Sequence, residues 1–209
     1  MKKCIFAAVA VLIFGFSNAQ KVKYGFKAGV NIATQKISLP TTTSGIVFST
    51  GSIIGVNAGF FVDIKVVPRL FFQPELLYSM QGAKLNAKAN GQSAEATASL
   101  NYFNVPLTVK YYLSNELNLQ VGPQVGFLVA ATDKLNSNIT GLPSSNKDSK
   151  SSYNSVDVGV NLGLGYDITK NISVSSRYSI SFADVEKTVP AGYTGSKNRV
   201  FSFSLGYTF

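Results

Sequence analysis

The residues of this chain able to do chemistry are few. Lys27, Asp63, Glu75, Lys110, Asp157, Asp167 and Arg177 each fall within a stretch of strictly alternating residues. They sit on the face that otherwise carries Gly, Ser, Asn, Gln and Thr. Charges gathered on one enclosed face must be paired, because an unpaired buried ion costs several kcal/mol of desolvation. Two kinds of chemistry fit such a set. One is a salt-bridge network that fills an interior. The other is a ring of charges that selects ions in a narrow pore. Counted from the short turns between segments, Lys27, Glu75 and Arg177 fall at similar heights. That spacing predicts Glu75 as an acceptor held bidentately by Arg177 and assisted by Lys27.

Catalytic chemistry has little to work with. The 209 residues include no histidine and one cysteine, Cys4. No His-dependent triad or His-containing metal site can form. The serines have no partner base, and no Asp/Glu pair stands out. The expectation is a non-enzymatic protein with no cofactor and no metal. The net charge of +9 is spread along the chain rather than gathered in a stripe. A nucleic-acid partner is therefore not expected, and anionic lipid head groups suit the scattered charge better.

The elements that must position these groups follow from residue period. Met1-Lys2-Lys3, an apolar run to Phe16 and Ser17-Asn18-Ala19 have the layout of a secretory signal peptide. This predicts cleavage after residue 19, export through the Sec pathway, and a mature domain over residues 20–209. In the remainder, eight segments alternate apolar with small or polar residues, the signature of strands. The closing one, residues 199–209, puts Phe201, Phe203, Leu205, Tyr207 and Phe209 on one face and Ser202, Ser204, Gly206 and Thr208 on the other. Earlier strands are expected near residues 24–33, 54–64, 70–85, 103–111, 119–129, 156–168 and 172–182. Residues 34–50, 86–99, 133–152 and 186–198 read as polar loops. Connections around Pro68, Asn115 and Lys170 read as tight turns. Pro74, Pro106 and Pro123 interrupt strands, where proline predicts a bulge.

Long and short connections thus alternate strictly. A transmembrane barrel sorts them in this way, with short turns in the periplasm and longer loops outside. The composition of the second face points the same way. A solvent face would be rich in Lys, Glu, Arg and Asp, yet charged residues make up 14% of the chain against ~25% in typical soluble domains. The fold class expected is all-β, an eight-stranded antiparallel up-and-down transmembrane barrel. Eight strands leave an interior just wide enough for side chains to fill. That favours the sealing network over the pore for Lys27, Asp63, Glu75, Lys110, Asp157 and Arg177.

Tyr24-Gly-Phe-Lys-Ala-Gly-Val-Asn31, Gln73-Pro-Glu-Leu-Leu-Tyr78, Asn104-Val-Pro-Leu107, Lys110-Tyr-Tyr112 and the aromatic C-terminus resemble the porin-family outer membrane protein β-barrel domain proteins of Gram-negative bacteria, small barrels of the OmpA/OmpX type. The resemblance spans the mature chain. It implies residence in the outer membrane and contact with outer-membrane lipid and lipopolysaccharide. It also implies handling by periplasmic chaperones and the barrel-assembly machinery, through a terminal signal at Phe203, Leu205, Tyr207 and Phe209. Ser204 stands where such signals commonly carry glycine. A monomer with a structural role in the envelope and displayed loops is the expectation. The rival expectations are a narrow channel for ions or small polar solutes, and an adhesin acting through the long loops.

Overall fold

In a computed structural model, residues 22–38, 42–43, 46–89, 92–137, 143–189 and 194–209 are described. The expected signal peptide lies outside them. Eight long strands dominate: β1 Val22–Ser38, β2 Ile53–Val67, β3 Leu70–Ala89, β4 Gln92–Tyr112, β5 Leu117–Ser137, β6 Val156–Asp167, β7 Ile172–Ser181 and β8 Thr194–Thr208. Each pairs antiparallel with its sequence neighbours, and β1 pairs with β8, so the sheet closes into a ring. Closure removes the free edges that an open sheet would expose.

The two faces of the ring follow the sequence alternation. Outside lie Ile54 at 82% exposure, Leu162 at 62% and Phe209 at 74%, among 33 exposed large apolar side chains of the described residues. A contiguous belt of this kind is not stable against water, where exposed apolar patches are normally small. Along β6 and Ile168 the apolar run covers 13 positions. At ~3.3 Å per residue and a tilt of ~45° it stands roughly 28 Å tall, close to the ~25 Å belt of a spanning barrel. Edge-on aromatic pairs such as Phe26–Phe60 and Tyr78–Phe103 knit this belt across strands.

The strands run longer than their residue period suggests. Residues 86–99, expected as a loop, are mostly strand, with β3 and β4 paired up to Ala89↔Gln92. Likewise β5 continues to Ser137, where a short strand Ser145–Asp148 joins its Thr132–Leu135 edge. Strand β8 begins at Thr194, inside the expected 186–198 loop, and β1 continues to Ser38. A further strand, Ile46–Gly51, pairs with the outer half of β3. In these segments Ala, Asn, Ser and Lys alternate with little contrast in hydropathy, so pairing with an already formed neighbour carries them rather than burial.

The prolines also behave differently from expectation. Register runs unbroken through Pro74, Pro106 and Pro123. The shift in the β4–β5 ladder falls instead at Asn101/Tyr102. A missing proline N–H removes a ladder bond but does not require an extra residue.

Candidate functional site

Each of the seven predicted ionisable residues points into the ring, but they form three groups rather than one network. The central group crosses the lumen. Lys27 on β1 donates to Glu75 on β3 at 3.0 Å. Arg177 on β7 grips the same carboxylate with two bonds, Nη1 to Oε2 at 3.0 Å and Nη2 to Oε1 at 2.7 Å. Its Nη2 also reaches Gln120 Oε1 on β5 at 3.1 Å. The Glu75 side chain is wholly shielded. Register explains why these side chains can meet. The cross-strand neighbours of Lys27 are Gly59 and Gly206, and those of Arg177 are Gly163 and Ser202. Both long cations therefore rise among small residues and extend freely toward Glu75.

Phe61 fills the rest of this level. Its ring lies against Gly25, where any Cβ would collide with it, and the Lys27 ammonium sits 5.3 Å from its centroid.

The second group lies nearer the short turns. Lys110 Nζ donates to both oxygens of Asp63, at 3.1 and 3.2 Å. Asp167 at the same end takes a 2.8 Å bond from the Tyr112 hydroxyl.

The third group lies toward the long loops, around Asp157. Its Oδ2 accepts from Ser181 at 2.8 Å and from Asn198 at 3.0 Å. No cation pairs with Asp157 among the described residues. Alternation placed it inward correctly, but its partners are neutral and come from loop-proximal sequence. Between this level and the Glu75 level runs an amide and hydroxyl ladder. Asn57 donates to Asn31 at 2.8 Å, Asn31 to Ser79 at 2.9 Å, and Ser202 and Ser204 close onto Asn31 and Asn57.

Residues that sequence reasoning did not single out close the long-loop mouth. Leu100, Tyr102, Leu128 and Ala131 project inward above the polar ladder and pack with Tyr153 and Val185. Tyr153 follows a short 3-10 turn, and its hydroxyl donates to Asp133 at 2.7 Å. Burial and that acidic acceptor push the Tyr153 phenol above its ordinary range. Asn154 donates to the backbone oxygens of Asp184 and Glu186, and Ser196 donates to Glu186, so the two loops lock together. Tyr102 was legible as inward from its place before the outward Phe103. Tyr153 and Val185 lie outside any alternating run and gave no signal.

Among the described residues, two voids beside these groups are small. One of about 30 Å³ lies beside Lys27, Asn31 and Arg177. Another of about 10 Å³ lies beside Gln73 and Gln120. The smaller is about the size of a single water centre.

The terminal residues Phe203, Leu205, Tyr207 and Phe209 all lie on the outer face. The Phe209 N–H donates to Tyr24 O at 2.9 Å and the Thr208 N–H to Asn171 O at 2.7 Å, which fastens the chain end to β1 and to the β6–β7 turn.

A family model described as "Outer membrane protein beta-barrel domain" matches residues 18–187. A sequence search of curated proteins finds no match. Among solved structures, Ail, the attachment invasion locus protein of Yersinia pestis in complex with the heparin analogue sucrose octasulfate, aligns with a TM-score of 0.51 at 11% identity, covering 90% of this chain and 99% of that one. Neisserial surface protein A aligns with a TM-score of 0.44 at 15% identity, over 89% and 97% of the two chains. The outer membrane protease OmpT of Escherichia coli aligns at 0.45 and 8% identity, over 90% and 97%. At 11% identity the likeness to Ail is one of fold.

Proposed function

Given that the chain belongs to the outer membrane protein β-barrel domain family, we propose that it spans the outer membrane as a monomeric, non-enzymatic eight-stranded barrel with a sealed lumen. Its role is then structural, tying the envelope together and displaying the long loops outside. The observation that carries this reading is the Lys27–Glu75–Arg177 crossing, which blocks the barrel at mid-height with charge-assisted bonds of 2.7–3.0 Å. A buried ion pair of this kind resists disruption, because separating it strands a charge in a dry interior. The residues 1–19 leader delivers the chain to the periplasm. Chaperones and the assembly machinery take it to the membrane through the Phe203–Leu205–Tyr207–Phe209 face.

Lipopolysaccharide contact has support in register. Lys36, Lys84, Lys88, Lys134, Lys197 and Arg199 continue the outward face beyond the apolar belt at the long-loop end. Lys36 and Lys197 stand directly opposite each other. Like charges so placed repel, and lipid phosphates lying just above an acyl belt would neutralise them. The second reading, display for surface binding, is favoured by the rigid extension of β3, β4 and β5 past the belt with the strands Ile46–Gly51 and Ser145–Asp148 attached.

The deciding experiment is conductance of the folded protein in a planar bilayer. Silence, or rare brief openings, is the expected result. A large steady current would refute the sealed lumen and install the channel reading.

A further inference from the structure

The short-turn end of the barrel holds a feature that the plug does not use. A concave mouth of about 280 Å³ opens there, below the Lys110–Asp63 pair. Lys23, Lys65, Arg69 and Lys170 line it, each from a different strand or turn. Among the described residues none of these four makes an ion pair. The two carboxylates of the mouth are already engaged, Asp63 by Lys110 and Asp167 by Tyr112. Five cations, Lys23, Lys65, Arg69, Lys110 and Lys170, thus face two carboxylates, Asp63 and Asp167, and the mouth keeps an excess of three positive charges.

The site has a built floor and a fixed rim. Lys110 is buried to 6% exposure, held by Asp63 on one side and lying 5.7 Å from the Tyr112 ring on the other. Phe71 meets Tyr112 edge-on at 5.2 Å and gives the mouth an apolar wall. Arg69 adopts a left-handed φ of 68°, and its carbonyl is pinned by the Tyr112 N–H at 2.8 Å. Ser114 and Thr169 hydroxyls cap their own turns, so the rim is tied on three sides.

From this geometry we infer that the short-turn mouth binds a small phosphorylated molecule. Donors converging from several directions suit a phosphate, whose terminal oxygens accept from all around, and an arginine among lysines can engage two of them at once. The volume accommodates a phosphate with a small organic group, not a polymer segment. The ligand docks and leaves by the same side, because Lys110–Asp63 and the Glu75 crossing close the route upward. The binding itself depends only on the mouth. Its periplasmic exposure rests on the membrane orientation proposed above.

The test uses the full folded barrel in uncharged detergent micelles at low salt, titrated calorimetrically with sodium pyrophosphate. Saturable binding with one site per barrel is expected, weakening as sodium chloride rises. Lys65→Gln with Arg69→Gln should weaken it at least tenfold, while Lys147→Gln with Lys150→Gln, exposed at the opposite end, should leave it unchanged. Folding of each variant is checked by heat-dependent gel mobility. If the first pair fails to fold, Lys170→Gln on a separate turn takes its place and should weaken binding several-fold. Absence of saturable binding to the wild type would overturn the inference, and so would equal loss in both pairs of variants, which marks diffuse surface charge. Because micelles have no sidedness, failure here is distinguishable from an inverted topology, which the cell-labelling experiment below reads separately.

Discussion

Glu75→Ala is expected to destabilise the folded barrel by ~3–5 kcal/mol, the usual cost of leaving a buried charge without its partner. The structure sets the terms of that figure. The Glu75 carboxylate takes three bonds from two cations, and its side chain has no exposure to solvent. Its removal leaves Lys27 and Arg177 projecting into the same void with no acid within the central level, so cation–cation repulsion adds to the lost bonds. Arg177→Ala alone should cost less, ~2–4 kcal/mol, on the order of two charge-assisted bonds with Lys27 still compensating Glu75. In the double variant the repulsion is gone. Its total should fall short of the sum of the single effects by ~1–3 kcal/mol, the coupling typical of residues in one network. The measurement is urea unfolding in lipid vesicles or micelles, followed by circular dichroism and by gel mobility, since the chain has no tryptophan to report. Additivity within ~0.5 kcal/mol would refute the coupling. In bilayers the double variant should also open more often than wild type, because the crossing would be reduced to Lys27.

Three further outcomes are expected. Phe209→Ser should lower the yield of heat-modifiable folded protein in the outer membrane, as it removes an exposed aromatic set edge-on to Tyr207, with ring centroids 5.7 Å apart, just past the end of β8; an unchanged yield would count against a terminal assembly signal. Cysteine placed at Ser144, at the long-loop end, should react with an impermeant thiol reagent on intact cells, and cysteine at Asn115, in a short turn, should not; the reverse pattern would invert the topology. Tyr153 should remain a protonated donor to Asp133 well past the pH at which free tyrosine ionises, ~10. Its raised folded value means that the loop cap is unaffected by pH below that point and is increasingly destabilised above it. An ultraviolet difference titration of wild type against Tyr153→Phe should find the missing ionisation among the latest, and an ordinary transition would contradict the buried contact.

The chain's own alternation determines a great deal here. Period two fixes which side of each strand a residue faces, so Lys27, Asp63, Glu75, Lys110, Asp157, Asp167 and Arg177 could be placed inward, and Phe203, Leu205 and Tyr207 outward, without coordinates. The short connections read around Pro68, Asn115 and Lys170 showed which strand ends lie together, because connections of a few residues can join only adjacent antiparallel strands. Family membership was a resemblance carried by the motifs at residues 24–31, 73–78, 104–107 and 110–112 and by the aromatic C-terminus, and the family model over residues 18–187 shows it. Glu75 and Arg177 are each counted from a short turn, where register slips have no room to accumulate, whereas Lys27 stands on the first strand and its height is set by pairing with Gly59 and Gly206.

Tertiary structure decided what register and shear control. Whether inward residues meet depends on the stagger of eight tilted strands, and that stagger divided the charges into Glu75 with Lys27 and Arg177, Asp63 with Lys110, and Asp157 with Ser181 and Asn198. It also set glycines beside Lys27 and Arg177, which gives the two cations their reach. The long-loop end was the least legible. Residues such as Ala94, Ala96 and Ala98 carry too little contrast in hydropathy to announce a strand, and only their pairing with Ala87, Leu85 and Ala83 makes them one. Tyr153 and Val185 belong to no period at all. They close the mouth because the ring brings Leu100, Tyr102 and Leu128 beneath them, a contact between segments far apart in sequence that no local pattern encodes.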